Sequence, residues 1–139
     1  MILIPVPMPP RAARPLFLSR VPAGFPSPAE DYVEGALDLN EYLIAHREAT
    51  FFVRVKGHSM TGAGIRDGDL LVVDRALEAG DGDVVVAVVD GELTVKRLSR
   101  RGGRVRLLPE SPGFEPIEFK DGQELTVWGV VTSVIHRVR

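Results

Sequence analysis

The chain has 139 residues, of which 45% are hydrophobic and 26% charged, and its formal net charge at neutral pH is −2. This length predicts one domain with a real core and at most one active site, and the charge offers nucleic acid no overall attraction. The absence of cysteine excludes disulfides, thiolate metal sites and cysteine nucleophiles, and no apolar run reaches the roughly 18 residues of a membrane-spanning helix.

Residues 1–37 form the first predicted segment, an extended N-terminal arm and linker. Most of the prolines fall here, and proline removes an N–H donor and fixes φ, so we expect neither a helix nor a central strand. The first ten residues lack a basic start, and prolines break their apolar run, which fits a secretory signal poorly. We therefore expect a cytoplasmic protein that does not contact the membrane.

One short helix is predicted at the start of the second segment, residues 38–139. Asp38 is the expected N-cap and Glu41 follows three residues later, as in a capping box. Leu39, Tyr42 and Leu43 would share one face, and the helix is expected to end near His46.

From Phe51 onward the hydrophobic period changes to two, which predicts a mainly β domain. Asp90-Gly91 lies between two strand-like runs and predicts a two-residue hairpin, because glycine accepts a positive φ without steric cost. Short, regularly spaced strands are typical of a compact, partly closed β-fold. The predicted strands are Phe51–Val55, Leu70–Val73, Val84–Val89, Leu93–Leu98, Val105–Leu108, Ile117–Phe119 and Leu125–Ile135.

Ser59 is a candidate nucleophile. It follows Gly57, just past a predicted strand, where a sharp turn would expose its side chain and aim two backbone N–H groups at one point, as an oxyanion hole requires. The alternative is an ordinary turn with a solvated hydroxyl, since turns favour Gly and Ser for local reasons.

Lys96 is the candidate base, because the histidines are poorly placed. His58 is adjacent to Ser59 and would point away from it, whereas His46 and His136 are distant, and His136 beside Arg137 is expected to be a solvated surface imidazole. A lysine acts as a base only when neutral, so burial must lower its pKa. Thr94 would share the face of Lys96 and offer it a hydroxyl; the alternative is an exposed strand lysine.

Two further groups of residues, the histidines and a basic cluster, give no support for a metal site or a nucleic-acid site. The three histidines make no recognisable metal spacing, so neither a metal nor another cofactor is expected. A basic cluster is predicted to be a solvated hairpin rim rather than a nucleic-acid site, and its members are Arg97, Arg100, Arg101, Arg104 and Arg106.

Several ordered stretches of this sequence resemble the LexA/UmuD group of self-cleaving serine peptidases. They run through residues 57–60, 64–74, 83–87 and 90–98, and the likeness extends to residues 24–34 and 38–40. The resemblance covers nearly the whole chain. It implies the β-fold of that group, with the arm in front of it.

The resemblance also implies roles for particular residues. Ser59 would be the nucleophile, Lys96 the general base, and the backbone N–H groups of His58 and Ser59 the oxyanion hole. The scissile bond would be Ala23-Gly24 in the chain's own arm, so that residues 1–23 are removed. The implied partners are a second copy in a homodimer, a RecA filament on single-stranded DNA that stimulates cleavage, and the catalytic subunit of an error-prone translesion polymerase in the SOS response.

Three other interpretations remain at this point. A leader peptidase related to signal peptidases also uses serine and lysine, but is expected to carry a membrane anchor. A LexA-type repressor needs a DNA-binding head, and the 23 residues before Gly24 are too few and too rich in proline for a helix-turn-helix. A non-catalytic β interaction module, whose arm docks on a partner, would keep its function when Ser59 is substituted.

Overall fold

Antiparallel pairing of short apolar strands organises most of the chain. The computed structural model describes residues 2–3, 5, 11–17, 33–119 and 125–139. Contacts divide the chain into two units, residues 1–5 with 46–139 and residues 6–45, so the proposed division after residue 37 falls inside the second unit. Within the described ranges, no helix is long and apolar enough to cross a membrane.

The first unit is one eight-stranded antiparallel sheet with the strand order β1-β4-β5-β10-β6-β7-β8-β9. The prediction of a mainly β fold is confirmed, and the predicted strands differ from the observed ones by a few residues at their ends. Numbered along the chain, these strands are β1 (Ile2–Leu3), β4 (Thr50–Arg54), β5 (Leu70–Asp74), β6 (Val84–Val89), β7 (Glu92–Arg101), β8 (Arg104–Leu108), β9 (Ile117–Glu118) and β10 (Thr126–Ile135).

Strand β6 is buried on both of its faces. Val85 and Ala87 pack in one apolar cluster and Val86 in another, as expected for alternate residues of a strand. The strand continues through the predicted hairpin into β7, and Val89 pairs with Glu92. Both turn residues have positive φ, 51° at Asp90 and 80° at Gly91, which matches the twist of the two strands.

Strand β10 pairs with β5 on one side and β6 on the other, and its register shifts once against each. The shift against β6 falls between Val127 and Gly129. A Cβ at Gly129 would lie only 2.5 Å from Val73 Cγ1 and 3.2 Å from Arg75 Cγ. Glycine is therefore needed here for the close approach of β5 to β10.

The second unit contains a two-stranded sheet and the short helix. The strands are β2 (Arg14–Phe17) and β3 (Val33–Leu37), which pair antiparallel, and the helix is α1 (Leu39–Leu43). Both strands agree with the predicted extended arm, and since a two-stranded ribbon has only edge strands, it tolerates the missing N–H of Pro15.

The predicted N-cap of α1 is confirmed, whereas its predicted end near His46 is wrong. The Asp38 side chain accepts a hydrogen bond from the Asn40 N–H, and Glu41 pairs with Arg11 instead of closing a capping box. Ile44 already has extended backbone angles, and none of the helical side chains is buried. A helix without a packed face has little to extend it beyond its first turns.

We expect Gly129→Ala to lower the free energy of unfolding by about 1–3 kcal/mol, because the added methyl group would overlap Val73. Urea denaturation measures this change. The matched control is Gly35→Ala in β3, where an added methyl group meets nothing within 4 Å. Equal effects of the two substitutions would contradict the close approach at Gly129.

Candidate active site

The loop after β4 holds Ser59 at the end of a sharp turn. Gly57 has a φ of 100°, which places it in the region that favours glycine. Its N–H donates a 2.7 Å hydrogen bond to Oδ1 of Asp67, so a side chain from the next loop holds the turn. Ser59 is half-buried after this turn, rather than solvated as an ordinary turn hydroxyl would be.

Buried side chains anchor the residues that follow Ser59. Met60 and Ile65 are each only 2% exposed and pack against Leu71 and Val86. The Met60 carbonyl accepts hydrogen bonds from the N–H groups of Ala63 and Ile65. The nucleophile loop, which we define as residues 57–63, is therefore fixed to the core immediately after Ser59.

Lys96 lies on β7 and its amine contacts Ser59. The Nζ to Ser59 Oγ distance is 2.8 Å, and Nζ also lies 2.9 Å from Thr94 Oγ1 and 3.1 Å from the Val95 carbonyl oxygen. All three partners are uncharged. Burial lowers the pKa of Lys96, because desolvation penalises the ammonium form.

A cleft of about 280 Å³ opens above this pair of side chains. Its polar side chains include those of Ser59, Thr94 and Lys96. The apolar part of its lining brings together β1, β4, β6, β7 and the nucleophile loop, and consists of Ile2, Val53, Val55, Met60, Val86, Leu93 and Val95. The cleft thus combines an apolar surface with a few polar and basic side chains, a combination typical of binding sites.

The remaining predicted site residues have different outcomes. The His58 side chain is exposed. No acceptor in the described residues takes a hydrogen bond from the backbone N–H of His58 or Ser59. Ala23 and Gly24 lie outside the described residues.

His136 is exposed, as predicted for a surface imidazole, but its ring also has a partner within the protein. Its Nδ1 lies 2.7 Å from Oδ1 of the buried Asp69. Burial alone would raise the pKa of Asp69, but hydrogen bonds from the Arg66 N–H and from His136 outweigh it and hold this pKa below its usual value. His46 makes a similar 2.6 Å contact with the buried Asp74. Both histidines therefore have buried carboxylate partners, one at the end of β5 and one just before its start.

The basic cluster is largely occupied by contacts within the protein. Arg97 pairs with Glu110, Arg101 with Asp81 and Arg104 with Glu118, while Arg100 donates to the Ala79 carbonyl. The more exposed of these pairs contribute little to stability, but together the pairs give three of the five arginines an acidic partner. The rim is thus less attractive to phosphate groups than its sequence indicates.

Two residues at the site were not predicted. Asp67 holds Gly57, and its position in the turn sequence Arg66-Asp67-Gly68 is the only local sign of this role. Glu110 binds the nucleophile loop through its backbone: its N–H donates to the Ser59 carbonyl at 2.7 Å, and its carbonyl accepts from the Gly62 N–H at 2.6 Å. No sequence pattern points to Glu110, because it lies 51 positions after Ser59 in the chain.

Comparison with known proteins gives consistent matches along most of the chain. A family model described as Peptidase S24-like matches residues 15–132. Protein ImpA of Escherichia coli is 52% identical over 132 residues, which cover 91% of this chain and 86% of ImpA. Protein SamA of Salmonella typhimurium is 48% identical over 139 residues, covering 100% of this chain and 96% of SamA. The LexA repressor of Bordetella pertussis is 42% identical over 118 residues, or 85% of this chain and 54% of the repressor.

We expect Lys96→Met to raise the melting temperature at neutral pH in a Ser59→Ala background. The folded chain binds the Lys96 proton more weakly than the unfolded chain, so the lysine destabilises the fold at pH values below its lowered pKa. This cost disappears as the pH rises from the folded pKa toward the ordinary value of 10.5. The advantage of methionine should therefore shrink at alkaline pH.

Thermal melts over this pH range check the prediction. Lys56→Met is the matched control, because Lys56 is exposed at the rim of the same cleft, and it should change the melting temperature little. A constant difference between Lys96→Met and its parent at every pH would contradict a desolvated amine.

Proposed function

Since this chain belongs to the Peptidase S24-like family, and within the LexA/UmuD group is of the UmuD type, we propose that Ser59 and Lys96 form a catalytic dyad that cuts the chain's own arm at Ala23-Gly24. Membership of the family supports a self-cleaving serine peptidase with a role in mutagenesis. The observation that carries the finer assignment is the 2.8 Å contact between Lys96 Nζ and Ser59 Oγ in surroundings that lower the pKa of the amine.

The chemistry follows from which form of Lys96 is present. As an ammonium it donates to Ser59, whereas the neutral amine accepts the Ser59 proton along the same line. Ser59 Oγ then attacks the Ala23 carbonyl carbon, and the N–H groups of His58 and Ser59 stabilise the oxyanion. Lys96 passes the proton to the departing Gly24 amine. Water hydrolyses the resulting ester, releasing residues 1–23 and restoring the serine.

The scissile segment has properties that suit the cleft. Pro22 and Pro26 favour extended backbone at the residues before them, and extended peptides bind as an added strand. Ala23 and Gly24 are small, so they fit a shallow site beside Ser59. Thr94 Oγ1 lies 2.9 Å from Nζ of Lys96, and we assign Thr94 the role of orienting the lysine.

The trimmed protein would act in translesion DNA synthesis. We propose that a RecA filament on single-stranded DNA stimulates cleavage in the cytoplasm, and that the shortened homodimer then serves as accessory subunit of an error-prone polymerase. The similarity to ImpA and SamA supports this proposal, since it accompanies the assignment of this chain to the UmuD type. The partial neutralisation of the arginine rim agrees with action through protein partners rather than through direct DNA contacts.

Intact mass spectrometry after alkaline incubation tests the proposed cleavage. We expect the unmodified protein to lose residues 1–23, and the variants Ser59→Ala and Lys96→Ala to remain whole, because each lacks one member of the dyad. If RecA filaments with ATP and single-stranded DNA also fail to induce a cut, the dyad assignment is wrong. Cutting by the Ser59→Ala variant would have the same meaning.

The scissile bond has its own control in Ala23→Glu. A larger, charged side chain at the cut would have to enter the small space beside Ser59 and lose its hydration, so cleavage should be abolished. Ala29→Glu, a change of the same chemistry beyond the cut, should be cleaved normally. Normal processing of Ala23→Glu would place the scissile bond elsewhere.

The rate of self-cleavage should rise with pH and then level off. Only neutral Lys96 accepts the Ser59 proton, so the rate constant is expected to grow about tenfold per pH unit below the pKa of Lys96. Because burial lowers this pKa, the plateau should begin below the ordinary value of 10.5. Single-turnover rates across the alkaline range measure the profile, and a flat profile would exclude Lys96 as the base.

A further inference from the structure

We propose that Glu110 is a positioning residue for the dyad, fastening the nucleophile loop to the strand that carries Lys96. This inference rests on the proposed function, because it assigns Glu110 to the geometry of that pair. Glu110 lies two residues beyond β8 and contacts the loop through its backbone and β7 through its carboxylate.

The backbone of Glu110 holds the loop on both sides of its turn. The Glu110 N–H donates to the Ser59 carbonyl at 2.7 Å, and the Glu110 carbonyl accepts from Gly62 at 2.6 Å. A side chain on Gly62 would overlap that carbonyl oxygen. Gly62 does not have a positive φ, so the close approach of Glu110, rather than backbone conformation, explains the glycine. A 2.7 Å hydrogen bond between Thr61 and Ser111 adds a side-chain contact beside these two.

The carboxylate of Glu110 reaches the other half of the dyad. It accepts a hydrogen bond from Nε of Arg97, the residue directly after Lys96. Arg97 also donates from Nη1 to the Gly82 carbonyl at 2.6 Å. Each side chain of the Arg97–Glu110 pair is 33% exposed, against 69% and 54% for the Arg104–Glu118 pair on the neighbouring strands. The more buried pair is the less screened by solvent, so it constrains its partners more strongly.

The sheet topology explains why such a connection matters. Ser59 follows β4 and Lys96 lies on β7, and β5, β10 and β6 separate these two strands in the sheet. Their 2.8 Å contact therefore depends on where the loop settles above the sheet. Glu110 offers a short route between them, since Leu108 pairs directly with Arg97. A displacement of about 1 Å in a reacting group can cost roughly a hundredfold in rate.

The test is a double-mutant cycle on single-turnover self-cleavage, with Glu110→Ala, Arg97→Ala and the double variant. We expect each single substitution to lower the alkaline plateau rate by about tenfold or more, as a misplaced nucleophile would. The plateau rate of the double variant should be no lower than that of the slower single variant, because both single substitutions remove the same ion pair. The pH at half-maximal rate should stay within about half a unit, since burial, not Glu110, lowers the pKa of Lys96.

Glu118→Ala is the matched control, because it removes the exposed partner of Arg104 and should leave the plateau unchanged. The melting temperature of each variant is first measured in a Ser59→Ala background, which prevents cleavage. Cleavage rates are then compared at a temperature at which every variant is fully folded. The proposal is overturned if Glu110→Ala cuts within twofold of the unmodified protein, or if the two single losses multiply in the double variant. If the unmodified protein itself is not cut with RecA filaments present, the proposed function fails, and this role of Glu110 fails with it.

Discussion

The position of the Lys96 amine beside three uncharged oxygens is the constraint on which the rest of the site depends. A carboxylate in contact with Nζ would stabilise the ammonium and raise its pKa, which would prevent the amine from acting as a base. The acidic residues near the site are engaged elsewhere. Asp67 holds a backbone N–H, Glu110 pairs with Arg97, and Asp69 contacts His136. Because these carboxylates have other partners, burial determines the direction in which the pKa of Lys96 is shifted.

The fold supplies the two halves of the pair by different routes. Lys96 and Thr94 come from one local element, the hairpin of β6 and β7, in which alternation alone puts both side chains on one face. Ser59 comes from a loop whose position is set by buried Met60 and by contacts from residues far along the chain. Local strand geometry thus positions Lys96, whereas tertiary contacts position Ser59. A change in those tertiary contacts would therefore disturb the pair more easily than a change in the hairpin.

Much of the fold followed from local patterns in the sequence. The period of two located the seven predicted strands of the sheet, and Asp90-Gly91 identified the hairpin, because these signals depend on a few neighbouring residues. Ser59 and Lys96 were candidates from their own surroundings and the resemblance implied their roles, but no local pattern brings together residues 37 apart. The N-cap role of Asp38 depends on neighbouring residues and was predicted correctly. The early end of α1 was not predicted, because it reflects the lack of a packed helix face rather than a stop signal in the sequence.

Contacts between distant segments account for what the sequence did not reveal. The partner of His46 depends on the register of β4 against β5, and that of His136 on the register of β5 against β10; no single window of the chain contains either pair. The same holds for Arg97 and Glu110, whose charges fit equally well with a solvated rim when each is considered alone. The pairing of β2 with β3 was unexpected because proline counts against a strand in general, although it is tolerated at the edge of a ribbon.

The first strand of the sheet has a consequence for any shortened form of the chain. Ile2 and Leu3 pair with Val53 and Phe52 along the outer side of β4, and Ile2 borders the cleft. A chain that begins at Gly24 has no β1, so the backbone N–H and C=O groups that β1 satisfied on β4 lose their partners. Unpaired strand edges readily add a strand from another molecule. Shortening the chain would therefore also leave β4 as an unpaired edge strand near Ser59. A strand from another molecule could pair with this edge, so the sheet would gain a surface for assembly.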